Sequence, residues 1–207
     1  MLDKGGPGRA PAPVVGKAPG PEPEDEQDKQ WILDFQGGSE AGFNRLVLKH
    51  KDRIFSLCLR LLQDRHEADD AAQETFVRVF QGLRGFRGEA KFSTWLYRIA
   101  VNACKNKLDS KEYRHRKDRR DLEEGEAELM KPVPSPAQVL ESKGRRERIE
   151  AAIGRLPEDQ RMLVVLRDVE GRSYEEIADA TGLNPGTLKS RLNRGRRQLQ
   201  EWLRELW

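Results

Sequence analysis

The chain has 207 residues, 36% of them hydrophobic and 35% charged, and a formal net charge of +3. That length allows one domain or two small ones, and the low apolar fraction suits small helical bundles better than one large core. No apolar run approaches the ~18–20 residues of a membrane span, and the N-terminus lacks a signal-peptide core. Membrane insertion and export are therefore not expected, and the cytoplasm is the expected location.

In chain order, residues 1–24 are rich in proline and glycine and read as a disordered tail. A helical pattern runs from Asp25 to Gln36 with Trp31, Ile32 and Phe35 on one side, and Gly37-Gly38 ends it. A long helix is expected from Ser39 to about Leu62, with Phe43, Leu46, Val47, Ile54, Leu57, Cys58 and Leu61 at helical spacing. A third runs from about His66 to Gln81 and a fourth from Ser93 to about Ser110, with a Gly-rich segment, 82–92, between them. Within the fourth, the spacing of Phe92, Trp95 and Ile99 predicts burial. Residues 113–144 are dense in charge and then in proline, and read as a flexible linker. Helices at about 145–154, 158–169, 173–181 and 185–206 complete an all-α chain of two small domains, 25–112 and 145–207. Net charge follows this division: −2 over 1–27, +3 over 28–112 and +2 over 145–207.

Cys58 and Cys104, the two cysteines, form no C-x-x-C pair, so no disulfide framework or zinc knuckle is indicated and each reads as a small buried hydrophobe. His50, His66 and His115 have no metal-ligand spacing with them. No cofactor or metal is called for.

The C-terminal stretch carries the sharpest local signals. Ser173 and Glu176 make a capping box that starts a helix faced by Ile177, Ala178 and Ala180, and Thr181-Gly182 stops it. Asn184 is an N-cap, and Pro185 sits where its missing N–H costs nothing. Leu188, Leu192, Gly195, Leu199, Trp202 and Leu206 then form one buried stripe. The remaining face shows Lys189, Ser190, Arg191, Asn193, Arg194, Arg196 and Arg197, with five basic residues and no acid from Thr187 to Arg197. Two helices, a tight turn and a one-sided basic face have the anatomy of a helix-turn-helix DNA reader, which the caps and turn favour over a merely solvated basic face.

The segment from Asp69 to Phe80 places Asp70 and Glu74 on one helix face with Gln73 beside them. Three readings compete: a solvated acidic face, a docking surface for a basic partner, and a divalent-metal site that lacks a third distant ligand. Around it, Phe86, Phe92, Trp95 and Tyr97 interleave with Arg84, Arg87, Lys91, Arg98 and Lys105, a pattern able to hold unstacked bases.

Three segments together bring a family into view: Asp69–Phe80, the stretch Phe86-Arg-Gly-Glu-Ala-Lys-Phe-Ser-Thr-Trp-Leu-Tyr-Arg-Ile-Ala-Val-Asn-Ala-Cys-Lys-Asn106, and Leu156-Pro-Glu-Asp-Gln-Arg-Met-Leu-Val-Val-Leu-Arg-Asp168. In order and spacing they resemble bacterial sigma factors of the extracytoplasmic-function group, over about residues 28–112 and 145–205. The resemblance implies a non-enzymatic specificity subunit. It implies core RNA polymerase contacts at Asp70, Gln73, Glu74 and Phe76, made to the clamp helices of the largest subunit, with the flap of the second-largest subunit as a further partner surface. It implies capture of the −10 element of promoter DNA by Phe86, Lys91, Arg98, Asn102 and Lys105, with Asn102 reading a flipped base. It implies −35 contacts from Lys189, Ser190, Asn193, Arg194 and Arg197, and control by an anti-sigma factor. Lys189 and Asn193 stand where other members often carry Arg and an aromatic, so the −35 sequence cannot be copied from another member.

Two other classes stay open at this level. A stand-alone transcriptional regulator would share the C-terminal reader and bind duplex without polymerase. A nucleic-acid enzyme built on Asp69, Asp70 and Glu74 would need Mg²⁺ or Mn²⁺.

Overall fold

A computed structural model describes residues 23–110 and 138–204. All regular structure among these residues is helical: α1 (Pro23–Gln36), α2 (Glu40–Leu62), α3 (Arg65–Leu83), α4 (Phe92–Asp109), α5 (Gln138–Gly154), α6 (Glu158–Val164), α7 (Tyr174–Thr181) and α8 (Pro185–Trp202). Among the described residues no helix is long and apolar enough to cross a membrane.

The first bundle, α1–α4, is built around α2. Ile54, Leu57, Cys58 and Leu61 are sealed against Ala68, Ala71 and Val79 of α3 and Leu96, Ala100 and Cys104 of α4. Each fully buried leucine or isoleucine is worth ~1.5–3 kcal/mol over its exposed state. The helix ends are set locally. Gln63 takes a left-handed φ of 57° to close α2, and the Asp64 carboxylate accepts the Glu67 N–H at 3.0 Å to open α3. α1 lies unusually close to α2, because a Cβ on Gly42 would stand 2.3 Å from the Trp31 carbonyl oxygen. The same pair of helices is tied by Asp28, which accepts from Lys49 Nζ at 2.8 Å and from His50 Nε2 at 3.0 Å. Burial alone would raise the Asp28 pKa, but these two partners outweigh it and hold the carboxyl below its usual range.

The second bundle packs α8 on α6, with Leu188 and Leu192 fully buried. Gly195 permits the close approach: a Cβ there would lie 3.0 Å from Val164 Cγ2. Arg161, 3% exposed, joins the two bundles. Its guanidinium donates to the Leu61 carbonyl of α2 at 3.1 Å and to the Gly154 carbonyl of α5 at 3.0 Å. Both carbonyls belong to helix C-termini, where partners are otherwise missing.

Several expected boundaries shift. α1 begins at Pro23, two residues early. α5 begins at Gln138, inside the stretch read as linker 113–144; the rest of that linker and most of the tail lie outside the described residues. The helix expected over 158–169 is continuous, but its last turn, Val165–Val169, is π-helical, with the Glu170 N–H reaching back five residues to the Val165 carbonyl at 2.9 Å. α8 ends at Trp202, and Leu206 lies outside the described residues. Trp95 and Ile99, expected to be buried, are only half-buried, packed against the edge of the core.

Candidate polymerase and nucleic-acid interfaces

The outward face of α8 is built from its caps. The Ser173 hydroxyl accepts the Glu176 N–H at 3.1 Å while the Glu176 carboxylate accepts the Ser173 N–H at 2.9 Å. Gly182 turns the chain at φ 72°, and Asn184 Oδ1 accepts the Thr187 N–H at 2.8 Å. With Leu188, Leu192 and Gly195 facing inward, Lys189, Ser190, Asn193, Arg194 and Arg197 all stand exposed. Two other arginines of the basic run are engaged. Arg191 pairs with Asp159 at 3.3 Å, and Arg196 Nε donates to Asp168 at 2.9 Å. The outward charge therefore rests on Lys189, Arg194 and Arg197, a smaller set than the sequence suggests.

On the first bundle, the four predicted residues of α3 divide: Gln73 and Phe76 face a groove toward α2, while Asp70 stands on the α4 side beside Lys107. Asp70 is 67% exposed and lies 3.4 Å from Lys107. Lys107 also donates to the buried Glu67 at 2.7 Å; burial would lower its pKa, but this acceptor more than compensates and raises it. Gln73 donates to Asp69 at 2.7 Å, and Arg78 donates to Glu74. Each carboxylate thus has its own amide or cationic neighbour, and among the described residues no group of three or more His, Cys, Asp or Glu could hold a metal ion. Phe76 turns toward a groove of about 750 Å³ between α2 and α3, lined by Phe43, Val47, Phe55, Val77 and Phe80. Val77 is 55% and Phe80 42% exposed, with Phe80 edge-on to Phe35 and Phe43 at 5.3 and 5.0 Å. Sequence reasoning missed Phe55, Val77 and Phe80 as a surface. The signal was present: Ala68, Ala71, Ala72, Thr75, Val79 and Leu83 already complete the core stripe of α3, so Val77 and Phe80 are surplus apolar residues.

The loop before α4 is held from two sides. Gln36 Nε2 donates to the Leu83 and Phe86 carbonyls at 3.1 and 2.9 Å. The rings of Phe86, Phe92 and Trp95 form a cluster, Phe86 lying 5.0 Å from Trp95. Along α4, Lys91 and Arg98 are exposed and Asn102 is half-buried. Lys105 donates to the Thr181 carbonyl of α7 at 3.0 Å. Neither Gln36 nor this contact with the second bundle was legible in the sequence.

Cys58 and Cys104 are both fully buried. Their mutual hydrogen bond and then burial push the Cys104 thiol well above its ordinary range, so the nucleophilic thiolate is scarce.

Residues 46–115 match the family model described as Sigma-70 region 2, and residues 146–199 match that of Sigma-70, region 4. The chain is 38% identical over 191 residues to the RNA polymerase sigma-H factor of Pseudomonas aeruginosa, covering 87% of this chain and 96% of that protein. It is 36% identical over 184 residues to the ECF RNA polymerase sigma factor SigE of Mycolicibacterium smegmatis, covering 88% and 70%. Among solved structures, the sigma factor RpoE of Bartonella quintana, crystallised with the anti-sigma factor NepR, superposes with a TM-score of 0.61 at 24% identity, over 80% of this chain and 98% of that one. At that identity the likeness shows the fold.

Proposed function

The chain belongs to the extracytoplasmic-function group of sigma-70 family sigma factors, with regions 2 and 4, and on that premise we propose how its surfaces divide the work of promoter recognition. The α2–α3 groove is the core polymerase site. Phe76, Val77 and Phe80 supply the apolar contact, Gln73 beside them adds an amide, and Asp70 and Glu74 on the neighbouring flank of α3 select a basic partner through charge. The loop and the start of α4 take the unstacked −10 strand: Phe86 offers a ring, Lys91, Arg98 and Lys105 meet phosphates, and Asn102 presents an amide to a base. The outward face of α8 enters the −35 major groove, where Lys189, Ser190, Asn193, Arg194 and Arg197 are placed to meet base edges and phosphates.

Neither DNA surface is strongly basic, and neither binds tightly alone. Fixed together on polymerase, the second contact becomes intramolecular and gains an effective concentration. The chain has no covalent step to perform; melting is driven by trapping bases as they unstack. An anti-sigma factor controls access to these surfaces, a reading supported by the Bartonella sigma factor having been crystallised with one, and the protein acts in the cytoplasm beside the polymerase.

The exposed row Lys189, Ser190, Asn193, Arg194 and Arg197, borne on a capped helix-turn-helix, carries this reading. Transcription in vitro with purified core polymerase and a genomic promoter library tests it. Specific initiation is expected, and its absence with active core overturns the reading. More finely, Asn102→Ala should lower open-complex yield while core affinity stays unchanged; an equal fall in both removes Asn102 from base readout.

A further inference from the structure

The aromatic cluster that opens α4 is braced from within by a buried ion pair. Phe92, the first residue of the helix, is buried, and its ring meets Phe86 edge-on at 6.1 Å and Trp95 at 6.1 Å. Phe86 and Trp95 are half-buried, so they form the outer layer of the cluster and Phe92 the inner one. The other ring against Phe92 is the imidazole of His50 from α2, with centroids 5.5 Å apart and planes inclined by 59°. Aromatic pairs favour particular angles, so the orientation of each ring constrains the next.

His50 is not free to turn. Its Nε2 lies 3.0 Å from Asp28 Oδ2 on α1, and Lys49 Nζ occupies the other carboxylate oxygen at 2.8 Å. An ionised carboxylate only accepts, so Nε2 carries the hydrogen, and both the tautomer and the plane of the ring are fixed. Asp28 and His50 are both buried, which keeps water from competing for this bond. Lys49 is itself held over the Trp31 ring at 5.6 Å. The outer layer is backed as well: a Cβ on Gly82 would lie 3.0 Å from Trp95 Cζ2, so the indole rests directly on α3.

Core packing alone does not call for this arrangement. Burying a carboxylate and an imidazole costs desolvation that an apolar pair of similar size would avoid. What the pair adds is direction, since a hydrogen-bonded ring has one orientation where an apolar side chain has several. We propose that His50, anchored by Asp28, is a positioning residue for capture of the −10 strand: through Phe92 it sets the Phe86 and Trp95 rings in the arrangement that receives an unstacked base. A platform set in advance gains affinity because less ordering remains to be done on binding. This inference rests on the strand-capture reading of α4 given above and extends it to residues of α1 and α2 that lie beneath the DNA face.

The full chain bound to core polymerase tests it, with a fluorescent single strand carrying the −10 segment of a promoter recovered from the genomic library. His50→Leu keeps an apolar filling and removes both the ring and the donor. It is expected to weaken strand binding about tenfold, the worth of a single base stack. Core affinity should hold, because neither His50 nor Asp28 lines the α2–α3 groove. Asp28→Asn keeps the shape of its side chain, removes the charge, and should weaken strand binding in the same direction. Added to His50→Leu it should cause no further loss, since Asp28 acts through His50. Ile54→Val, a plain core change on the same helix, is the structural control and should leave strand binding unchanged. The cluster itself is observed in the fluorotryptophan-labelled chain, where the Trp95 fluorine resonance, identified by its loss in Trp95→Phe, should shift in both variants. If His50→Leu fails to fold, Asp28→Asn carries the test through the same two readouts. A Trp95 resonance that stays in place overturns the proposal, as do losses that add in the double variant or that Ile54→Val reproduces. Intact strand binding in Phe86→Ala overturns the strand reading itself, whereas a loss in Phe86→Ala with none in His50→Leu overturns only the role of His50.

Discussion

Gln36, the last residue of α1, donates its side-chain amide to the Phe86 carbonyl at 2.9 Å, fifty positions along the chain. The same nitrogen meets the Leu83 carbonyl at 3.1 Å. One side chain thus pins the loop that leads into α4, and with it the ring of Phe86. Gln36→Ala is expected to cost ~1 kcal/mol of stability for bonds to neutral carbonyls. The larger effect falls on the loop: open-complex yield should drop severalfold while core affinity holds. Permanganate footprinting of melted thymines beside a core-binding titration checks this.

Val77→Glu probes the groove. The side chain is 55% exposed, so folding should change by no more than ~0.5 kcal/mol. Placing a charge in an apolar docking site should weaken core polymerase binding at least about tenfold by desolvation. A thermal melt and a fluorescence titration with core separate the two effects.

The ion pairs of α8 divide its arginines. Arg194→Ala removes an outward cation, so promoter affinity of the holoenzyme should fall and the salt-dependence slope should drop by about one. Arg191 is committed to Asp159 at 3.3 Å, and Arg191→Ala should leave that slope nearly unchanged. Filter binding over a salt series distinguishes them.

Gly42→Ala is expected to be far more damaging than its size suggests. The added Cβ would meet the Trp31 carbonyl oxygen at 2.3 Å and the Phe35 nitrogen at 2.9 Å, both backbone atoms. Neither can rotate away, so α1 must shift, and overpacking of this kind costs ~1–3 kcal/mol or more. Urea unfolding measures it, and the loop held by Gln36 should loosen in the same variant.

Acid should weaken the contact between α4 and α7, where the Thr94 hydroxyl donates to Glu176 at 2.9 Å. Burial would raise its pKa, but the Ser173 N–H, Thr94 and Arg172 together hold it below the usual 4.5. A carboxyl depressed in the folded state stabilises fully above its unfolded pKa, and that contribution fades as pH falls through the lower folded value. Stability should therefore be flat above about pH 5 and decline below 4.5, and Glu176→Gln should flatten that decline. Urea midpoints at several pH values give the slope.

Local signals carried far in this chain. Ser173 with Glu176, Gly182, and Asn184 with Pro185 each dictate a helix end through atoms within four residues, and all appear where the sequence places them. The two-bundle helical plan followed from apolar periodicity in the same way. Apart from the surplus apolar Val77 and Phe80 of α3, the surfaces that need two distant elements were not legible. Phe43 and Val47 have the spacing of core residues, and only the placement of α3 beside them turns one side of that stripe into an open groove. The five basic residues from Thr187 to Arg197 look equivalent in one dimension, yet Asp159 and Asp168 arrive from α6 and its π-helical turn to take two of them.

By itself the sequence determined the helices, their caps and the family, because periodicity, capping and motif spacing act over a few residues or are carried in the order of residues themselves. The tertiary structure alone decided that Glu170 and Glu176 close over α4. Those carboxylates lie 73 and 82 residues from their partners Tyr97 and Thr94, and nothing in either segment names the other. Such pairs are chosen by how two finished bundles meet, through shape and buried charge, and that choice appears only when both surfaces exist.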